Sequence, residues 1–146
     1  MLGTNIFGCS IGDRIALKSH HGKYVVAESN GKANANRPRR GPWEIFTVKE
    51  LGSGKISLKS HHGKYLVAER NFEVNANRPT KSKWEAFEVL KQNDGKFAFK
   101  TWQGRYLVAE QDGRLRADRT KIGAWEAFTA ECIKGKPVIL TNILQV

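Results

Sequence analysis

The chain has 146 residues, 40% of them hydrophobic, and carries 25 Lys and Arg against 14 Asp and Glu for a formal charge of +11. That length buries enough apolar surface for one domain to fold without metal or disulfide staples. The longest apolar stretch, Val138 to Val146, is interrupted by Thr141, Asn142 and Gln145 and is too short to span a bilayer, so no transmembrane insertion is expected.

In chain order, the first eight residues place no basic side chain ahead of an apolar core and do not read as a secretory signal, so the expected location is cytoplasmic. Cys9 and Cys132, one near each end, lack metal-like spacing and are read as two buried thiols, a bridge joining the termini being the alternative. Ile15 and Leu17 alternate with polar neighbours and predict a strand. Gly22 punctuates it, and Tyr24-Val25-Val26-Ala27 is a second strand rich in aromatic and β-branched residues. A turn at Ser29-Asn30-Gly31 leads to a short polar strand through Ala33 and Ala35. The basic, proline-containing loop from Arg37 to Pro42 follows, and the run from Trp43 to Val48 is a fourth strand.

The same pattern then recurs twice without a gap. Ile15 to Glu28, Ile56 to Glu69 and Phe97 to Glu110 are three versions of one segment, offset by 41 residues each time, and the register holds as far as Trp43, Trp84 and Trp125. Lys18/Lys59/Lys100, Gly22/Gly63/Gly104, Tyr24/Tyr65/Tyr106, Glu28/Glu69/Glu110 and Arg37/Arg78/Arg119 are identical in all three copies. Three four-stranded units predict an all-β domain that closes round a pseudo-threefold axis, a β-trefoil, with copies near 14–54, 55–95 and 96–136 and a closing strand near 137–146. Lys136 to Leu140 is expected to pair with the segment around Ile6 and Phe7. Trp43, Trp84 and Trp125, with Phe46, Phe87 and Phe128, are expected to fill the middle, so truncating Trp84 should cost about 3–5 kcal/mol.

The segments Gly63-Lys64-Tyr65-Leu66-Val67-Ala68-Glu69, Asn75-Ala76-Asn77-Arg78-Pro79 and Trp84-Glu85-Ala86-Phe87 resemble the repeat signature of the fascin-like β-trefoil superfamily, and the resemblance spans residues 14 to 130. It implies a non-enzymatic module. Fascins bundle actin filaments with four such domains, and hisactophilin-type proteins bind actin and anionic membrane with one. A single copy of the fold places this chain nearer the second group, without the many histidines of a pH switch, since only four His are present.

For function, no zincin, nucleophile-elbow, Walker or dinucleotide pattern is present, so neither an enzyme nor a cofactor is expected. The charge favours an anionic partner. Combined with the resemblance, it gives an actin filament, or another anionic macromolecule, as the first expectation. Arg39, Arg40, Lys81, Lys83 and Lys121, in loops that the symmetry collects at one end, are the candidate contacts. Arg37, Arg78 and Arg119 are instead expected to hold the repeats together by pairing with glutamates such as Glu44, Glu85 and Glu126.

The alternative is a multivalent glycan-binding lectin, with sites built from His20, His21, Asn34 and Asn36 in copy one, their counterparts His61, His62, Asn75 and Asn77 in copy two, and Trp102 in copy three. Against it, the asparagines suit backbone-satisfying roles in bends, and the Gln-x-Trp signature of ricin-type lectins is missing. No metal site is expected, because adjacent His side chains on a strand or turn diverge. Nucleic acid ranks third, since charge alone supports it.

Overall fold

The computed structural model describes residues 4–10 and 12–134. They form twelve strands, all paired antiparallel, with short 3-10 turns and no α-helix among the described residues. Copy one contributes β1 (Arg14–Lys18), β2 (Tyr24–Ala27), β3 (Ala33–Arg37) and β4 (Phe46–Gly52). Copy two contributes β5 (Lys55–Lys59), β6 (Tyr65–Ala68), β7 (Val74–Arg78) and β8 (Phe87–Lys91). Copy three contributes β9 (Phe97–Lys100), β10 (Tyr106–Ala109), β11 (Leu115–Arg119) and β12 (Thr129–Ile133).

Backbone pairing runs from β12 through β1, β4, β5 and β8 to β9. Phe128, just before β12, then exchanges both its hydrogen bonds with Phe97 at the start of β9. The strand that meets β1 is thus β12, within copy three. The expected closing strand near 137–146 lies outside the described residues. Phe7, which it was expected to cover, is buried against Phe97 and Phe99 with ring centroids 5.0 and 6.0 Å away.

The second and third strands of each copy make a hairpin, and the three hairpins interlock in a cycle. Ala76 donates its amide to the Gly31 carbonyl, Ala117 to that of Phe72, and Ala35 to that of Gly113. The tips are glycines for a reason beyond their positive φ: a Cβ on Gly113 would lie 2.7 Å from the Asn36 Cβ, and one on Gly31 2.9 Å from that of Asn77. Copy two puts Phe72 at this position, held at φ 73° with the Arg105 guanidinium 5.1 Å from its ring centre.

Side chains alternate along β1, β4, β5, β8 and β9 so that Ile15, Leu17, Phe46, Ile56, Leu58, Phe87 and Phe99 meet, with Phe128, in one buried cluster. The tryptophans are not part of it. Each fourth strand begins at or after the Phe rather than at the Trp, because Pro42–Glu44, Lys83–Glu85 and Ala124–Glu126 are 3-10 turns. In each turn the buried glutamate folds back to accept the amide of Gly41, Ser82 or Gly123, which turns the preceding Trp outward. Trp43 is 36% exposed, and Trp84 and Trp125 are half-buried.

Cys9 and Cys132 form a disulfide rather than a pair of free thiols, with Cα atoms 5.6 Å apart. It fastens the N-terminal segment to β12, which the pairing of β12 with β1 brings alongside. One core position departs from its repeats: Ala16 and Ala98 correspond to Ser57, whose buried hydroxyl has no protein partner among the described residues. Ser57→Ala is therefore expected to raise stability by about 1 kcal/mol, readable as a higher urea midpoint.

Candidate functional site

The loop after the third strand of each copy packs against the first hairpin of the next. These junctions are held by a ring nitrogen reaching back to the preceding copy. His62 Nε2 lies 3.0 Å from the Ala27 carbonyl, and His21 Nε2 lies 3.0 Å from that of Ala109. In copy three Trp102 Nε1 donates to the Ala68 carbonyl at 2.9 Å, although Trp102 aligns in sequence with His61 rather than His62. Each ring also meets the outward Trp of its junction: Trp43 lies edge-on to His62, Trp125 edge-on to His21, and Trp84 is stacked flat on Trp102 at 4.7 Å. His21, His62 and Trp102 are therefore clasps between copies.

Two junctions open into clefts. The first, about 640 Å³, is lined by Arg14, Pro42, Ile45, Thr47, Lys59, Ser60, His61 and Gly63. The second, about 360 Å³, is lined by Lys55, Lys83, Ala86, Glu88, Lys100, Thr101, Trp102 and Gly104. Adding 41 to each residue of the first lining yields the second, so the two clefts are the same site built twice. Their floors are cross-strand rows. Arg14 faces Thr47 and Thr47 faces Lys59 across β1, β4 and β5. Lys55 faces Glu88 and Glu88 faces Lys100 across β5, β8 and β9. On the rims, His61 is exposed in the first cleft, and Lys83 lies 5.4 Å from a Trp102 ring centre in the second.

The loop cations singled out from the sequence occupy different settings. Arg40 pairs with Glu131 of β12 at 2.7 Å, Lys81 lies over the Tyr65 ring, Lys83 lines the second cleft, and Arg39 and Lys121 are exposed. Arg37, Arg78 and Arg119 do hold their own copies together, but their main partners are Glu28, Glu69 and Glu110. Glu44 and Glu85 are occupied with loop amides, and Glu126, similarly bonded, lies 3.9 Å from Arg119.

Asn34 and Asn75 donate to those same Glu28 and Glu69 carboxylates, while Asn36 and Asn77 accept from Arg37 and Arg78. All four asparagines thus belong to the hairpin scaffold, and among the paired histidines His20 and His61 remain exposed. The cleft-floor residues Arg14, Thr47, Lys55, Glu88 and Lys100 were not singled out from sequence. The invariance of Lys18, Lys59 and Lys100 was the available signal, and it became informative only once the ladder placed Lys59 and Lys100 beside their partners.

Tyr24 shows how the third junction is braced. Its hydroxyl donates to the Glu131 carboxylate at 2.9 Å, on the same group that holds Arg40. Burial first, then the hydrogen bond and charge of Glu131, push the phenol above its ordinary pKa of 10.0. A folded-state pKa above the unfolded one gives stability that is complete below the ordinary value and lost as pH rises through the raised one. In Glu131→Gln, ultraviolet titration should find the Tyr24 phenol ionising closer to its ordinary value; an unmoved titration would reject this account of the brace.

Among the described residues no group of three or more His, Cys, Asp or Glu side chains is placed to hold a metal ion, and no helix is long and apolar enough to cross a membrane. No curated protein matches the chain. Residues 11–133, which include every strand of the three copies, match one family model, and the chain accordingly belongs to the family described as a domain of unknown function, DUF7910.

Proposed function

We propose that this chain is a fascin-like β-trefoil that binds carbohydrate, without catalysis, through the clefts between successive copies. The trefoil reading is supported by the 41-residue recurrence of the strands, the ring of pairing from β12 round to β9, and the cyclic interlock of three hairpins. The observation that carries the functional reading is the duplicated cleft. A concave surface of a few hundred cubic ångströms, walled by Pro42 and Ile45 or by Ala86 and Trp102 and floored by polar side chains, suits a sugar ring with one apolar face and a hydroxylated rim. Two such clefts on one body supply multivalency.

The disulfide supports the same direction. Bonds of this kind persist in oxidising compartments, so the setting proposed here is extracellular or luminal rather than cytoplasmic. A glycan array is the direct test. Saccharide hits retained at physiological salt are expected, and an array without a hit at either low or physiological salt would sink the reading.

An actin-filament partner is the second reading, favoured by the +11 charge and the fascin-like signature. It is placed second because filaments assemble in the reducing cytosol. Co-sedimentation with filaments at low and physiological salt tests it, and a protein left in the supernatant in both ends it.

A further inference from the structure

We propose that the first cleft is a receptor for the acidic group of a charged saccharide, a carboxylate or sulfate ester held between Arg14 and Lys59 over the Thr47 hydroxyl. This rests on the carbohydrate reading above and names the class of sugar for one of its two clefts.

The argument starts from the ladder. Ile15, Phe46 and Leu58 are fully buried, so the neighbouring Arg14, Thr47 and Lys59 project from the opposite face into the cleft. Adjacent strands lie about 4.8 Å apart, which puts the backbones bearing the two cations about 10 Å apart, a span that Arg and Lys side chains close on a single anion. Among the described residues the lining of this cleft includes no carboxylate. Among the described residues Arg14 makes one long hydrogen bond, 3.4 Å to the Lys134 carbonyl, and its guanidinium has five N–H donors with which to meet an anion.

The second cleft supplies the internal comparison. Its floor has the same two cationic positions, Lys55 and Lys100, but the middle residue is Glu88. There the ladder sets a carboxylate in register with both lysines; in the first cleft the equivalent position holds a hydroxyl, and the Lys59 ammonium, 5.6 Å from the Tyr65 ring centre, has no carboxylate partner among the described residues. The two junctions therefore differ in what they accept: an acidic sugar at the first, and at the second, with Trp102 on its rim, a sugar without a negative charge. Pro42 and Ile45 give the acidic sugar an apolar wall, and exposed His61 lies at the rim.

The test uses the disulfide-bonded full chain and site-resolved nitrogen-15 NMR, titrated with tetragalacturonate, a sulfated heparin tetrasaccharide and neutral cellotetraose. The two acidic probes separate carboxylate from sulfate as the source of the charge. Either or both should shift the amides of Thr47, Lys59 and His61. Thr47→Glu, which copies the residue that copy two tolerates at this position, should weaken that response at least about tenfold, because one charge-assisted contact is lost and a like charge gained. Glu88→Thr should make Lys100 and Trp102 respond to the same acidic probe.

An acidic probe that binds Thr47→Glu as tightly as the parent would overturn the proposal. So would an oligonucleotide that shifts the same amides more strongly than any saccharide. If cellotetraose binds while both acidic probes leave the first cleft unmoved, the acidic-sugar assignment fails and the carbohydrate reading stands. If no saccharide shifts any amide, both fail.

Discussion

Phe46→Ala is expected to cost about 3–5 kcal/mol of folding stability, whereas Trp43→Ala, three residues away, should cost about 1–2 kcal/mol. Phe46 is fully buried among Ile15, Leu17, Ile56 and the other phenylalanines, in a cluster that cannot collapse around a missing ring without moving strands from all three copies. Trp43 is 36% exposed and touches the edge of His62 at the surface of a junction. The same ordering should hold between Phe87 and Trp84, reversing the large cost that the sequence alone assigns to Trp84. Urea unfolding of the four variants checks this through their midpoints. Equal losses for the Phe and Trp members of a pair would mean that the indoles share the core after all.

Opening the disulfide is the second large effect. The Cys9–Cys132 bond closes a loop spanning 123 residues of sequence, nearly the whole described chain. Loop closure over that length stabilises the folded state by about 3–5 kcal/mol, chiefly by restricting the unfolded chain. Cys9→Ser/Cys132→Ser is therefore expected to fold, because Ser is close in size to the buried Cys9 it replaces and the phenylalanine cluster and hairpin interlock keep all their members, but to melt well below the parent protein. The parent treated with a reductant should melt with the variant. A parent whose melting temperature is indifferent to reductant would show that the bond is absent in solution, and the argument for an oxidising compartment would go with it.

The three-copy organisation was legible because it is written locally. A strand of alternating apolar residues, a glycine that alone tolerates the first turn, and a second strand of Tyr, Val and Ala recur every 41 residues, and each element needs only near neighbours to form. The phenylalanine core was legible for the same reason, since Phe46, Phe87 and Phe128 recur at one position of the repeated segment, and all three are fully buried in one cluster. Even the scaffold role of Arg37, Arg78 and Arg119 followed from their invariance, although their partners did not: Glu28 sits across a hairpin from Arg37, where pairing geometry rather than proximity in sequence selects it.

What tertiary structure alone decided lies between copies. Whether a Trp faces inward or outward depends on the buried glutamate beside it, which must satisfy a loop amide. Trp102 takes the part of His62 from a position one residue earlier because the larger indole reaches the Ala68 carbonyl from there. The pairing of Cys9 with Cys132 required β12 to lie against β1. The clefts gather Arg14, Thr47 and Lys59 from three strands that the chain separates by as many as 45 positions, and only the hydrogen-bonded ladder makes them neighbours. Sequence alone determined the repeated unit and its apolar face, since those are local choices of residue type; the junctions, where the candidate chemistry sits, arise from packing one copy on the next.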